Sequence, residues 1–569
     1  MPAPARPATR LALRAAVVPA LLALAGCGPS DRAASDTATA AAAPGGTVVV
    51  STPTEPDNLV PPLTTSVLGK QIEDLVFERL ADLGPTLNTV GDEGFVPRLA
   101  TRWTWAADSL SIAFALDPAA RWHDGRPVRA EDVVGTWRLY TDPATASPAA
   151  ALLGNIDSVT VRDSLTPVVW FARRTPEQFF EATYQMLVLP AHVYGALDRA
   201  RLASSEAARR PIGSGPFRFV EWRPAQFVSL AADTTAGRRR ATLDRVLFTV
   251  APDPATAYAR FAGGEADVFE AVRPDKVAEV RANPALRLEV TPSLDYQYLA
   301  FNFYVKASER PHPVFADRAV RRALTMAADR PAIVRNMFDS LAVPALGPFP
   351  RAVANADTTL VPLPVSVDSA NAILDAAGWT RGADGMRRKG TVPLAFGILV
   401  PSSSASRLRA AVLLQEQFRR IGATVTVEQL DFPAFLARLD ARDFDAMLGG
   451  WNTDPGTAAV RQSWGSAGAV PGGENAGRYR SATFDAHVDS GIAAFAPSAM
   501  RGHFAAAWRT IRDDAPAIWL AEPRRVLGLH ARLRPAGIRP DAWWVGLHRW
   551  SIAPGQRIAR DGAAAAAPS

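Results

Sequence analysis

Strand-like and helix-like periodicities alternate along most of this chain, and that alternation leaves few architectures open. Short apolar or β-branched runs, the pattern of buried strands, stand at 47–51, 111–116, 158–161, 167–171, 217–221, 227–230, 245–250, 296–303, 392–400 and 424–430. Between them lie helical spacings. In 68–83 the apolar residues Ile72, Leu75, Val76 and Leu80 recur on one face, among Glu73, Asp74, Glu78 and Arg79. Further helices are predicted over 131–140, 255–263, 320–328, 367–377 and 406–422. Alternation of this kind argues for layered α/β structure, and excludes an all-β sandwich or a helical bundle. No repeat of fixed period is present. At roughly 150 residues per domain, 569 residues correspond to three or four domains or lobes.

Composition narrows the chemistry. The single cysteine, Cys27, excludes an intramolecular disulfide framework and any Cys-clustered metal site. The net charge of +6 is spread over the whole chain without a basic block, so nothing points to nucleic acid. Only four cations are lysine: Lys70, Lys276, Lys306 and Lys389. The seven histidines include no His-Glu-x-x-His helix, and Gly213-Ser214-Gly215 lacks the spacing of a nucleophile elbow. These absences argue against a secreted hydrolase, and no metal or cofactor is expected.

The N-terminus reads as an export signal. Arg6, Arg10 and Arg14 precede an apolar stretch at 15–25 that ends in Leu24-Ala25-Gly26-Cys27. The stretch is too short for a hydrocarbon core that needs about 20 residues, and it has the layout of a cleavable signal peptide over 1–26. Its end resembles the lipobox of bacterial lipoproteins, which implies acylation of Cys27. Residues 27–44 are small and polar and read as a flexible tether. The expected location is outside the cytoplasm, held to a membrane by lipid.

A series of short motifs then runs through the mature chain. Pro97-Arg98-Leu99-Ala100-Thr101-Arg102-Trp103 is followed by Trp122-His123-Asp124-Gly125-Arg126-Pro127-Val128 and Ala130-Glu131-Asp132-Val133. Gly213-Ser214-Gly215-Pro216-Phe217, Gly264-Glu265-Ala266-Asp267-Val268, Ala327-Ala328-Asp329-Arg330, Asp375-Ala376-Ala377-Gly378-Trp379 and Arg420-Ile421-Gly422-Ala423 come after them. In this order they resemble the extracytoplasmic solute-binding proteins of the oligopeptide, dipeptide and nickel importers (family 5). The resemblance implies a two-lobed, type II periplasmic-binding-protein fold with an extra inserted domain and a ligand cleft between the lobes. Mapped here, it implies lobe I over 45–80, 205–295 and 525–560, the inserted domain over 81–204, and lobe II over 296–524. The motifs themselves read as structural: His123-Asp124 as turn chemistry, Asp329-Arg330 as a cap and local salt bridge.

The resemblance also implies function: a small solute, a short peptide before nickel complexes, opines or sugars, captured by lobe closure. It would be delivered by a monomeric receptor to an ABC permease and its ATPase subunits. A sensor or assembly lipoprotein with the same fold is the alternative. Trp451-Asn452-Thr453-Asp454 keeps the spacing of the family's Gly-Trp-x-x-Asp string, whose aspartate pairs with a ligand ammonium. Only one Asp precedes Pro455, so Asp454 reads either as that ligand group or as a turn residue. The hydroxyl-rich turn 402–406 opens a predicted helix, a place suited to a carboxylate. By resemblance to dipeptide binders, Arg409, or else Arg407, would meet that carboxylate; the other reading is a solvated helix face. Tyr296 offers a cleft wall or a core side chain.

Overall fold

The computed structural model describes residues 45–235, 239–306 and 308–562. The leader, the tether and Cys27 lie outside them. Among the described residues no helix is long and apolar enough to cross a membrane.

Two large sheets organise the molecule. All six residues of strand Thr47–Thr52 are buried, because its parallel partner Arg245–Val250 and the short strand Val268–Phe269 flank it inside a seven-stranded sheet. Strands Leu286–Thr291 and Arg525–His530 close one edge of that sheet, and Phe227–Ala232 and Phe217–Arg223 the other. The second sheet has the order Ala342–Val343, Ala517–Pro523, Asp295–Phe301, Ala446–Asn452, Ala395–Pro401, Thr424–Leu430. A third, four-stranded antiparallel sheet spans Ala100–Trp105, Ser111–Leu116, Thr166–Phe171 and Ile156–Asp163.

The chain passes between the two large sheets through two short segments. Residues 292–294 join Leu286–Thr291 to Asp295–Phe301, and residue 524 joins Ala517–Pro523 to Arg525–His530. The Ser293 hydroxyl donates to the Pro523 carbonyl at 2.6 Å and ties the two crossings together. Two short strand-to-strand crossings are what a hinge between lobes requires.

Packing assigns the small unit to one lobe. Ile112, Phe114 and Val169 of the four-stranded sheet share a continuous core with Val48, Val50, Leu230 and Phe248 of the seven-stranded sheet. The six-stranded sheet has a core on each face. Leu299, Ile398 and Leu448 pack with Leu324 and Leu414 of helices Arg318–Ala327 and Ala405–Arg419. Tyr298, Met447 and Trp519 pack with Phe504 and Trp508 of helix Pro497–Asp514.

Two of the sequence motifs turn out to hold each other. His123 Nε2 lies 3.0 Å from the Gly215 carbonyl, and the Gly213 N–H donates to Nδ1 at 3.2 Å. This arrangement needs a neutral ring protonated on Nε2, and burial accordingly holds the His123 pKa below its ordinary value. Asp124 accepts from His192 at 2.6 Å and from the Arg126 N–H, so the pair is turn chemistry.

The helix predicted over 68–83 is shorter, Val67–Val76. Its last turn is met by the Gly213–Gly215 turn: the Gly215 N–H donates to the Val76 carbonyl, and a Cβ on Gly213 would overlap that oxygen. With that carbonyl taken by another segment, the chain leaves the helix, and Ala81–Asp82 becomes a strand. Asp329 caps helix Arg330–Phe338 through the Ala332 N–H as expected, but Arg330 reaches the Leu363 carbonyl instead of Asp329. Strands Arg245–Val250 and Thr424–Leu430 stand where the periodicity places them.

A buried ion network fastens the first strand. Arg532 donates from Nε to Asp267 at 2.7 Å, from Nη1 to Asp561 at 2.6 Å and from Nη2 to the Thr47 carbonyl at 2.8 Å. It thereby joins the start of the folded body to the C-terminal turn.

Candidate functional site

Strand Ala446–Asn452 carries the candidate site out of the core. Its residues are buried through Gly449, half-buried at Gly450 and Trp451, and exposed at Asn452. The glycine pair is required by close approach: a Cβ at Gly449 would stand 2.9 Å from the Tyr298 ring, and one at Gly450 would stand 2.7 Å from the Arg407 guanidinium. Without side chains, this strand lets Tyr298 and Arg407 lie against its backbone.

Arg407 sits in the first turn of helix Ala405–Arg419, whose N-cap Ser404 accepts the Arg407 N–H. Its side chain is half-buried, its Nε is buried without a partner, and no carboxylate lies within 4 Å among the described residues. Burial lowers its pKa; only Tyr298 acts in the opposite direction. Beside it, across Gly450, the Gln297 Oε1 is likewise buried and unpartnered. A guanidinium and an amide oxygen without partners form a place for an anionic or amide-bearing group. Arg409 is different. Two residues further on it projects about 200° around the helix, and it is exposed. Of the two arginines named from the sequence, only Arg407 is placed against Gly450.

Asp454 lies in the loop that follows the strand, and both of its sequence readings have a counterpart. One oxygen, Oδ1, accepts the Gly456 N–H at 2.7 Å and shapes the turn. The other has no protein partner among the described residues. The side chain remains in reach of water, yet protein crowds it over a longer range. That enclosure raises its pKa, the Gly456 N–H opposes the rise, Asp541 adds to it and Lys70 counters it. Asp541 and Lys70 both belong to the lobe of the seven-stranded sheet, so Asp454 faces the other lobe. The same loop, with Phe349, Pro350 and Val353, lines a small cavity.

Tyr296 is a core residue. It is 1% exposed, its hydroxyl accepts the Trp464 indole N–H at 2.9 Å, and its ring meets Trp519 edge-on. Of its two sequence readings, cleft wall or core side chain, the structure shows the core side chain, with its polar atom engaged by Trp464. Trp451, opposite Tyr296 in the strand ladder, is half-buried at the rim.

Two residues escaped the sequence reading. Glu177, buried in the small unit, accepts the Thr89 hydroxyl at 2.5 Å and the Thr457 N–H at 2.8 Å. Burial pushes its carboxyl up to about 7, against those hydrogen bonds and with a further upward push from Asp454. Lys70, on helix Val67–Val76, is exposed, and its charge acts to lower the Asp454 pKa. The other three lysines each pair with a carboxylate, Glu279, Asp443 or Asp317, and among the described residues Lys70 has no such pair. Its rarity in the composition was the one signal available; Glu177 had none.

Comparison with known proteins bears on all of this. Residues 94–469 match the family model of the bacterial extracellular solute-binding proteins, family 5 middle. The oligopeptide-binding protein AppA of Bacillus subtilis is 25% identical over 524 residues, covering 90% of this chain and 92% of AppA. Di/tripeptide-binding protein 2 of Pseudomonas aeruginosa is 26% identical over 470 residues, 79% of this chain and 84% of the relative. In fold, the ABC transporter substrate-binding protein CtaP of Listeria monocytogenes superposes with a TM-score of 0.78 at 21% identity, covering 90% of this chain and all of CtaP. With the two lobes, the crossings and the motif turns already in place, the chain belongs to the bacterial extracellular solute-binding proteins of family 5.

Proposed function

We propose that this chain is a lipid-anchored receptor that captures a short peptide between its lobes and passes it to an ABC permease and its ATPase subunits. Catalysis has no part in this reading; closure and opening are the whole cycle. Lobe I comprises 45–80, 205–295 and 525–560, the inserted domain 81–204, and lobe II 296–524. Cys27 carries the lipid, so Cys27→Ser releases the protein from membranes into the soluble fraction.

The observation that carries the peptide reading is the pair of unmatched charges on one strand and its loop. Arg407, without a carboxylate, adjoins Gly450, and Asp454, with one free oxygen, comes four residues later. At about 3.3 Å per extended residue the backbone from Gly450 to Asp454 spans at most about 13 Å. An extended peptide spans about 3.3–3.6 Å per residue, so its ammonium at Asp454 and its carboxylate at Arg407 fit two to four residues. The di/tripeptide-binding relative supports this size class. Calorimetry on the Cys27→Ser protein with tripeptides tests it. Free tripeptides bind, and blocking either terminus weakens them. Equal binding of blocked and free peptides, or binding of a sugar alone, refutes the reading.

A further inference from the structure

Among the described residues, the contacts of the small unit with the far lobe include the following three, none of them on the crossing segments 292–294 and 524. Glu177 accepts the Thr457 N–H at 2.8 Å. Three residues earlier, the Arg174 guanidinium lies 4.4 Å from the centre of the Phe495 ring. Val90 joins the core formed on the six-stranded sheet by Tyr296, Phe349 and Val460. Because the small unit shares its own core with the seven-stranded sheet, it moves with that lobe. A parting of the two lobes would therefore separate these contacts.

Of the three, the Glu177 contact reaches the loop that holds Asp454. Gly456 separates the two carboxylates: a Cβ there would stand 2.9 Å from Asp454 Oδ1 and 3.8 Å from Glu177 Oε1. Thr457 is 4% exposed, and its backbone N–H is given to Glu177. Thr89, on a second loop of the small unit, holds the same Glu177 oxygen at 2.5 Å and fixes its direction.

We infer that Glu177 is a positioning residue through which the inserted domain latches the 453–457 loop in the closed receptor, so that the loop is held for ligand only when the lobes are shut. The inference rests on the receptor reading, since it needs lobes that open and close, but not on Asp454 as the ammonium partner. The energetics are one-sided. In the open molecule the Thr457 N–H is solvated; in the closed one, removal of Glu177 leaves it buried without an acceptor. Such orphaned groups shift equilibria by roughly tenfold or more, and here the whole penalty falls on closure.

The test uses Cys27→Ser protein, free of ligand, with spin labels at Asp157→Cys on the small unit and Ala486→Cys on the six-stranded lobe, both exposed positions. Pulsed electron resonance should show Glu177→Ala moving the distance distribution toward the longer, open population by roughly tenfold. Glu177→Gln, which keeps a carbonyl acceptor, should restore the shorter distances. In the unsubstituted protein the Thr457 amide should be protected from hydrogen exchange, a readout that needs no variant to fold. With trialanine as probe, Glu177→Ala should speed dissociation. Unaltered distances in Glu177→Ala, or rapid exchange at Thr457, would overturn the latch. If Asp454→Asn binds trialanine normally while Glu177→Ala still opens the lobes, the latch stands and the anchor assignment falls.

Discussion

Replacing Arg407 by Met should move stability and affinity in opposite directions. The guanidinium is half-buried, its Nε has no partner, and no carboxylate offsets its charge. A buried unmatched donor costs about 1–3 kcal/mol, and methionine keeps most of the aliphatic volume without that cost. The ligand-free Arg407→Met protein should therefore be as stable as the parent or more so. A peptide carboxylate supplies the missing partner, and a charge-assisted hydrogen bond of this kind contributes about 1.5–3 kcal/mol. At about 1.4 kcal/mol per tenfold, the variant should bind a free tripeptide roughly 10- to 100-fold more weakly. Amidating the peptide's C-terminus should cost the parent protein the same and the variant nothing more. Calorimetry and thermal unfolding on one preparation read both quantities, with Arg409→Met as the neutral comparison. A lower melting temperature with unchanged affinity would show that Arg407 is structural and that the reasoning from its unpartnered nitrogen fails.

Protonation should act on the same site with a definite sign. The carboxyls of Glu177, at about 7, and Asp454 are both raised, and an ammonium ligand favours their ionised forms. Peptide affinity should be full above pH 7 and fall as pH drops through it, and Glu177→Gln should flatten the profile. Stability of the ligand-free protein should run the other way: Glu177's contribution is present below its ordinary 4.5 and lost as pH rises through about 7. Chemical denaturation at pH 5 and pH 8 should thus show Glu177→Gln gaining on the parent at the higher pH. At the other end of the molecule, Arg532→Ala leaves Asp561 buried without its cation and Asp267 with Arg560 alone, and should cost about 3–5 kcal/mol in the same assay, with no specific effect on peptide affinity.

Much of the framework was legible because it is local. Strands Arg245–Val250 and Thr424–Leu430 announce themselves by apolar runs between turn residues, and the His123 and Gly213–Gly215 motifs by their glycines and prolines. What failed was non-local. The helix over 68–83 ends at Val76 because a turn more than 130 residues away occupies its last carbonyl, which no window of periodicity contains. Arg407 and Arg409 have the same chemistry in the sequence, and only the phase of the helix against Gly450 separates them. Tyr296 loses its hydroxyl to Trp464, 168 residues on, and Glu177 finds Thr457 at a separation of 280. The candidate site draws on segments far apart in the chain, so its supporting residues carry no signature of their own.

The most direct measurement of the central claim is a double cycle at the peptide's amino terminus. Asp454→Asn keeps an oxygen for the Gly456 N–H, so the turn survives and only the charge is removed. Calorimetry would compare parent and variant with a free and an N-acetylated tripeptide. Because Asp454 is still in reach of water, its charge should contribute about 1.5–3 kcal/mol, below what a fully buried pair would give, or roughly 10- to 100-fold in affinity. Either change alone should produce that loss, and the two together should produce no more, since both delete one interaction. Undiminished binding of the free peptide by Asp454→Asn, or losses that add in full, would contradict the account and leave Asp454 as a turn residue.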